Sequence, residues 1–162
     1  MKLARFEHSD NVYLGLVDAA GGTISAITAP PVIGDPMIVM IQAQIGGHNP
    51  ELNGIEFNLD DVRLLPPIAT PSKNILCIGK NYAALAAEFA HSGFDSSAKG
   101  TTDIVPDAPI IFSKAPCAMI GARDDIQPTW DITSKVDYEG ELGVVIGIGG
   151  RAISHAKAYD HV

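Results

Sequence analysis

The sequence lacks the features of a disulfide-bonded, zinc-binding or membrane-spanning protein. Its 162 residues include only two cysteines, Cys77 and Cys117, which are far apart and form neither a CxxC redox pair nor a zinc knuckle. No segment approaches the ~18 apolar residues of a bilayer span, and the N-terminus lacks the apolar region of a signal peptide. These absences predict a cytoplasmic protein with reduced, buried thiols.

Basic residues are also scarce. Lysine and arginine total 11 against 19 aspartates and glutamates, which gives a net charge of −8 and an isoelectric point near 4.9. An acidic surface repels phosphate backbones and anionic lipids, so we expect no nucleic-acid partner and no membrane partner. Apolar residues, in contrast, make up 46% of the chain, which is enough to bury a core in one domain or one and a half.

Proline divides the chain into two predicted domains. Pro66, Pro67 and Pro71 fix an extended segment and exclude a helix there, so we place a small β-rich domain at residues 1–65 and a second domain at residues 66–162. The predicted strands of the first domain are Lys2 to Phe6, Val12 to Val17, Thr23 to Ile27 and Ile55 to Leu59. Pro36 and the pair Gly46-Gly47 are typical of the two ends of a helix.

The second domain mixes strand and helix patterns. We predict strands at Ile75 to Ile78, Ile110 to Phe112 and Val136 to Ile148, helices at Tyr82 to Ala90 and Ser154 to Val162, and a polar loop from Ser92 to Pro109. Because strands outnumber helices in both domains, the sequence predicts a β-rich α+β fold.

The longest predicted strand carries a cluster of carboxylates. In an extended chain Asp137, Glu139 and Glu141 project from one face at intervals of ~6.7 Å. Unpaired carboxylates repel each other, and a hard cation such as Mg²⁺ or Mn²⁺ relieves that repulsion by taking oxygen ligands. The alternative is a polar strand face exposed to water. Against it, the continuation Val144-Val145-Ile146 is apolar on both faces, as in a buried strand.

Three segments, in the same order along the chain, resemble the fumarylacetoacetate hydrolase superfamily in its smaller bacterial-type form. They are Ile75 to Tyr82 with the sequence ILCIGKNY, Pro109 to Lys114 with PIIFSK, and Val136 to Gly147 with VDYEGELGVVIG. The resemblance implies a small N-terminal domain followed by the first part of a mixed β-roll or barrel-like catalytic domain. It also implies an enzyme that hydrolyses, isomerises or decarboxylates small dicarbonyl or 2-oxo acids.

The resemblance further implies a metal site. Glu139 and Glu141 match the two metal-binding glutamates of the family's E-x-E motif, whereas Asp137 matches a motif residue that is not usually a ligand. The expected cation is Mg²⁺ or Mn²⁺, with Ca²⁺ as a further option, and it would hold the oxygens of a small oxo-acid substrate. Lys80 and Lys114 are weaker candidates for binding that anionic substrate.

One position departs from the family pattern. The helix after Asn81-Tyr82 follows N-Y-x-x-H-x-x-E, in which histidine and glutamate activate water or move a proton, and Glu88 occupies the glutamate position. Leu85 occupies the histidine position and cannot accept a proton. Three explanations stay open: Glu88 alone acts as the base of a decarboxylase or isomerase, the chain is a catalytically weakened relative, or the residue was substituted. His91 lies three residues beyond Glu88 and is displaced by one helical turn from Leu85, so it is a poor replacement for the histidine of the family pattern.

The second departure from the family is length. A further metal-binding aspartate and a substrate-binding lysine of the family lie downstream of Val162, so the sequence predicts the front part of a longer protein. Two carboxylates alone make a poor site for a hard cation. We therefore expect either a homodimer of the whole protein or an association of this chain with a missing C-terminal portion.

Two alternatives compete with a metal-dependent enzyme. Gly147 to Ala152 fits the dinucleotide-binding pattern G-x-G-x-x-A, but no βαβ unit precedes it. A catalytically inactive binding or structural protein is favoured by Leu85. The hypothesis that we carry forward is an enzyme of the fumarylacetoacetate hydrolase type, with Glu139 and Glu141 on the metal and Glu88 as the remaining acid/base residue.

Overall fold

The structure is a computed structural model that describes residues 1–29, 31, 33–91, 106, 108–127, 136 and 138–162. These residues form two units. The first unit comprises Met1–Thr70 together with Ile120–Val162, and the second comprises Pro71–Met119. The division into domains at residues 65 and 66 stays a prediction, because the first unit draws on both of those ranges.

A five-stranded antiparallel sheet forms the first unit, with the strand order β4-β3-β2-β1-β5. The strands are β1 (Leu3–His8), β2 (Asn11–Asp18), β3 (Thr23–Ile27), β4 (Leu52–Asn58) and β5 (Arg63–Leu64), with a 3-10 turn at Leu59–Asp61. The first two strands are joined by a two-residue turn in which Ser9 and Asp10 both have positive φ angles, 47° and 62°. This geometry matches the right-handed twist of the strands that it connects.

Two apolar clusters build the core of the sheet. Leu14 and Ile27 pack with Met37 and Met40 of helix α1 (Pro36–Ile45), while Phe6, Ile24 and Val62 form the second cluster. Phe6 pairs with Tyr13 in the β1–β2 ladder, so Phe6 and the next residue of β2, Leu14, lie on opposite faces. A Cβ atom on Gly15 would lie 2.6 Å from Cγ1 of Ile24 and 2.7 Å from Cε1 of Phe6, so this position needs glycine.

Helix α1 begins and ends where the sequence predicts. Asp35 is the N-cap residue, its side chain accepts a hydrogen bond from the Met37 amide, and Pro36 occupies the first turn. At the other end, Gly46 caps the helix and Gly47 has a φ of +79°, a conformation that glycine adopts without strain. The local chemistry of the capping residues therefore defines the helix.

The segment Ile120–Val162 contains no strand in its described part, so the strand predicted from Val136 to Ile148 is wrong. Residues 138–148 have no regular secondary structure, and they are exposed apart from the half-buried Gly147. A strand requires a hydrogen-bonded partner strand, and the amides of Gly147 and Ile148 instead donate to the carbonyl of His161. The helix predicted from Ser154 to Val162 is a 3-10 helix, His155–His161.

In its described residues, the second unit contains a two-stranded antiparallel sheet and one α-helix. Strands β6 (Ile75–Gly79) and β7 (Ile110–Lys114) pair from Ile75 opposite Lys114 to Gly79 opposite Ile110. Helix α2 (Ala83–His91) follows β6, and a 3-10 turn at Pro116–Ala118 follows β7. Most of the predicted loop from Ser92 to Pro109 lies outside the described residues.

No helix in the described ranges combines the length and the apolar character needed to cross a bilayer. The two units are rich in strands and contain few helices, in agreement with the predicted β-rich α+β fold.

Candidate functional site

The two glutamates of the E-x-E segment lie in the first unit. Glu139 and Glu141 are both exposed, and they lie in a stretch without regular secondary structure. The alternation of faces that a strand would impose therefore does not apply to them here. Asp137, the third predicted carboxylate of this face, lies outside the described residues.

Glu139 and Glu141 fit a hard divalent cation in the type of donor that they supply. Carboxylate oxygens are the ligands that Mg²⁺, Mn²⁺ and Ca²⁺ prefer. They do not complete a site in number: across the described ranges, no three His, Cys, Asp or Glu side chains lie close enough together to hold a metal ion. The role of these two residues as metal ligands therefore stays a prediction.

The predicted acid/base residue lies on a helix in the second unit. Glu88 is exposed on α2, while Ala86, two residues earlier, is fully buried. Residue 85 lies three positions before Glu88, and helical residues at this spacing share a face. The side chains of Leu85 and His91 lie outside the described part of the structure. Only the backbone of α2 therefore indicates that positions 85 and 88 share a face.

The two candidate lysines lie at opposite ends of the antiparallel strand pair β6–β7. Lys80 directly follows Gly79, which pairs with Ile110, whereas Lys114 pairs with Ile75 at the far end of the ladder. The two ends of the ladder, Ile75 and Gly79, are four residue steps apart, which is ~13 Å along an extended strand. Lys80 is half-buried and has a left-handed backbone with φ 55°, and Lys114 is exposed. The structure therefore does not bring the two lysines together.

The end of the first unit contains contacts that the sequence does not signal. The backbone carbonyl of His161 accepts hydrogen bonds from the amides of Gly147, at 2.9 Å, and Ile148, at 3.3 Å. The imidazole Nδ1 of His161 lies 2.7 Å from the carbonyl oxygen of Ile148. A single histidine in a short helix carries no motif, so nothing in the sequence marks this residue.

Two family profiles match adjacent parts of the chain. Residues 1–67 match the Rv2993c-like N-terminal domain. Residues 74–162, more than half of the 162, match the C-terminal domain of fumarylacetoacetate hydrolase. The chain belongs to the fumarylacetoacetate hydrolase family. The predicted resemblance is thereby confirmed, and the matched range includes Glu88 and the E-x-E segment.

Relatives within the fumarylacetoacetate hydrolase family include one with a defined activity. Oxaloacetate tautomerase YisK of Bacillus subtilis is 43% identical over 114 residues, which cover 70% of this chain and 35% of YisK. An uncharacterized protein of Staphylococcus haemolyticus is 34% identical over 123 residues, covering 76% of this chain and 35% of that protein. The chain therefore spans about a third of the length of these relatives.

A solved structure of the same family supports the fold. The fumarylacetoacetate hydrolase of the psychrophile Exiguobacterium antarcticum superposes with a TM-score of 0.64 at 31% identity, covering 99% of this chain and 52% of that enzyme. The fold of the fumarylacetoacetate hydrolase family that the sequence predicts is confirmed by this likeness.

Proposed function

We propose that the whole protein is a divalent-metal-dependent tautomerase or isomerase of small 2-oxo acids, with oxaloacetate as its first candidate substrate. The observation that supports this choice most directly is the 43% identity to the oxaloacetate tautomerase YisK. The substitution at position 85 supports it independently, because it removes the histidine expected for water activation.

The chemistry of tautomerisation suits a site with one proton-transfer group. Hydrolysis of a carbon–carbon bond needs a water molecule that a base deprotonates, and a leucine at position 85 cannot assist there. Conversion of a keto acid into its enol breaks one C–H bond next to the carbonyl and forms one O–H bond on the former carbonyl oxygen. No water is consumed, so the carboxylate of Glu88 is sufficient to take the proton from carbon.

The metal would be held by Glu139 and Glu141, together with ligands from outside the described residues. When bound, Mg²⁺ or Mn²⁺ stabilises negative charge on the enolate oxygen and on the carboxylate of the substrate. Lys80 and Lys114 would add positive charge for an anionic substrate, each at its own end of the β6–β7 strand pair. The whole protein would act as a homodimer, in which the metal site and the substrate-binding site are complete.

The test uses the full-length protein with enol-oxaloacetate and either Mg²⁺ or Mn²⁺, and follows the loss of the enol absorbance in the ultraviolet. We expect Glu88→Gln to lower kcat by about 100-fold, the usual contribution of a general base. Glu139→Ala should abolish metal binding measured by calorimetry. Glu51→Gln is the control, since Glu51 is an exposed glutamate before β4 and outside the range matched to the hydrolase domain.

Two results would contradict this proposal. Unchanged metal affinity in Glu139→Ala would remove the E-x-E segment from the metal site. Cleavage of acylpyruvates by the unmodified protein, at a rate similar to its tautomerase activity, would instead indicate a hydrolase. In that case Leu85→His should leave the cleavage rate unchanged, whereas for a tautomerase it should create or raise cleavage.

A catalytically inactive binding protein is the second candidate. The leucine at position 85 favours it, because the family dyad is incomplete. Calorimetry with oxaloacetate and Mg²⁺ distinguishes the two functions: a binding protein would show saturable heat without any change in the rate of enol loss.

A further inference from the structure

Three hydrogen bonds connect His161 to the chain that follows the E-x-E segment, at Gly147 and Ile148. The carbonyl of His161 accepts from the amides of Gly147 and Ile148, and the ring Nδ1 of His161 lies 2.7 Å from the Ile148 carbonyl oxygen. A carbonyl oxygen only accepts, so Nδ1 must carry the proton and donate it. We call the contacts among Gly147, Ile148 and His161 the His161 clasp.

The clasp is closely packed on both of its sides. A Cβ atom on Gly147 would lie 2.7 Å from Cδ1 and 3.5 Å from Cγ1 of Ile45, the last residue of α1. A Cβ atom on Gly150 would lie 2.7 Å from Cδ1 of Ile153 and 3.1 Å from Cε1 of the His161 ring. The glycines therefore let the chain approach both the end of α1 and the imidazole more closely than any other residue would.

We propose that His161 is a positioning residue for the carboxylates of Glu139 and Glu141. Its clasp holds Gly147 beside the end of α1, and Glu141 lies six positions before Gly147. Six steps of fully extended chain span at most ~22 Å, so the clasp limits where the glutamates can lie relative to the sheet of the first unit. This role rests on the proposed function, because it gives the E-x-E segment its metal.

The clasp acts by reducing the disorder that metal binding must remove. Glu139 and Glu141 are exposed and lie in a segment without regular structure, so ordering them costs conformational entropy. A segment already held at Gly147 and Ile148 loses less freedom when a cation binds, and its affinity is correspondingly higher. His161 thus affects the metal without touching it.

The test compares substitutions that keep or remove the Nδ1 donor. The amide nitrogen of asparagine can replace Nδ1, whereas the longer glutamine places its nitrogen near the position of Nε2. In the full-length protein we expect His161→Asn to bind Mn²⁺ with unchanged affinity. His161→Gln should weaken Mn²⁺ binding about fivefold, the effect of one lost hydrogen bond. Calorimetry with Mn²⁺ alone measures both affinities.

Amide hydrogen exchange provides a readout that does not involve the metal. In the metal-free protein, Gly147 and Ile148 should be protected from exchange, since both amides donate to His161. The protection should persist in His161→Asn and decrease in His161→Gln.

Glycine variants offer a matched pair for the packing of the clasp. Gly147→Ala should reduce Mn²⁺ affinity, because its methyl group meets Ile45, and Ile45→Ala in the same protein should restore the affinity. Gly149→Ala is the control, since no atom of the described residues lies within 4 Å of a Cβ at that position.

These experiments distinguish a failure of the positioning role from a failure of the proposed function. If the unmodified protein binds no Mn²⁺, both the proposed function and this role are overturned. If it binds Mn²⁺ and the Asn and Gln variants bind it equally well, the positioning role alone is overturned. Loss of amide protection in His161→Gln with unchanged Mn²⁺ affinity also overturns the positioning role alone, because the contacts would then be structural only.

Discussion

Asp35 is the only buried charged or polar side chain among the described residues of the core, with 6% of its surface exposed. Its Oδ1 accepts from the amide of Met37 at 2.9 Å, and its Oδ2 accepts from the amides of Ala69 at 2.5 Å and Thr70 at 3.1 Å. The Asp35 carboxylate therefore caps α1 and also binds the backbone at Ala69 and Thr70. Three N–H donors explain why a carboxylate is tolerated in a buried position.

Replacing this residue should destabilise the first unit. Asp35→Ala removes the N-cap and leaves three partly buried amides without an acceptor, so we expect a loss of about 3 kcal/mol in the free energy of unfolding. Asp35→Asn keeps one acceptor oxygen and should lose less than half of that. Urea denaturation followed by circular dichroism measures both values.

Asp18 provides the comparison for Asp35. Its Oδ1 accepts from the amides of Ala20 and Gly21 in an exposed turn, where water can replace it. Asp18→Ala should therefore cost at most about 0.5 kcal/mol, since surface substitutions rarely exceed that. Equal losses for Asp18→Ala and Asp35→Ala would show that burial of the carboxylate has no energetic consequence.

At the scale of elements, local signals predicted much of the first unit and less of the remainder. Pro36 and Gly46-Gly47 indicated α1 because capping depends on neighbouring residues only, and the bounds Thr23–Ile27 of β3 were predicted without error. The prediction of a strand from Val136 to Ile148 was wrong for the opposite reason. Alternating and apolar residues indicate a tendency to extend, but a strand also needs a partner, which the local pattern does not contain.

The candidate site was predicted unevenly for the same physical reason. Short motifs indicated the E-x-E segment and Glu88, and both lie in the range that matches the hydrolase domain, while their roles stay predictions. Two of the three hydrogen bonds of the His161 clasp join backbone groups, which every residue type possesses, and the third joins the ring of His161 to the carbonyl of Ile148, 13 residues earlier. Backbone bonds do not depend on the type of side chain, and the ring bond joins residues far apart in the sequence, so no short motif indicated the clasp.

The turn at Gly121 to Asp124 shows how a loop is attached to the sheet of the first unit. Arg63 of β5 lies between two carboxylates, with Nη2 at 3.5 Å from Glu7 Oε2 and Nη1 at 3.5 Å from Asp124 Oδ1. Asp124 also accepts from the Gly121 amide at 2.8 Å, and the Ala122 amide donates to the Leu64 carbonyl at 3.3 Å. The hydrogen bonds of the Gly121 and Ala122 amides, at 2.8 Å and 3.3 Å, are shorter than the two ion pairs of Arg63, at 3.5 Å.

We therefore expect Asp124→Ala to destabilise the protein more than Arg63→Ala. Asp124→Ala removes the ion pair and the acceptor of the Gly121 amide together, for a loss of about 1.5 kcal/mol. Arg63→Ala removes only half-exposed ion pairs and should cost at most about 1 kcal/mol. Thermal unfolding at low and at high salt separates the two effects, because salt should weaken the contribution of Arg63 and leave that of the Gly121 hydrogen bond unchanged. A larger loss for Arg63→Ala would contradict this ranking.

At the scale of the whole molecule, apolar side chains remain uncovered in the second unit. On β6 and β7, Leu76 is 73% exposed and Ile111 is 64% exposed, and Ile78 lies opposite Ile111 on the same face. An isolated two-stranded sheet is marginally stable in water, and an apolar face with open edges favours association. The chain corresponds to about a third of YisK and half of the Exiguobacterium enzyme, so those proteins contain much additional chain.

The 162-residue polypeptide, produced by itself, should consequently associate with itself and bind the dye ANS. Replacing Ile111 with Thr places a hydroxyl on the exposed face of β7 while keeping a β-branched residue, which preserves the propensity of the strand. Ile111→Thr should reduce both the ANS fluorescence and the fraction of oligomers seen by sedimentation velocity, because the apolar area available for contact decreases. Ile126→Thr is the matched control: Ile126 is 68% exposed but lies outside the paired strands. If both substitutions reduce association equally, exposed apolar area in general drives it, and the face of β6 and β7 has no special part in it.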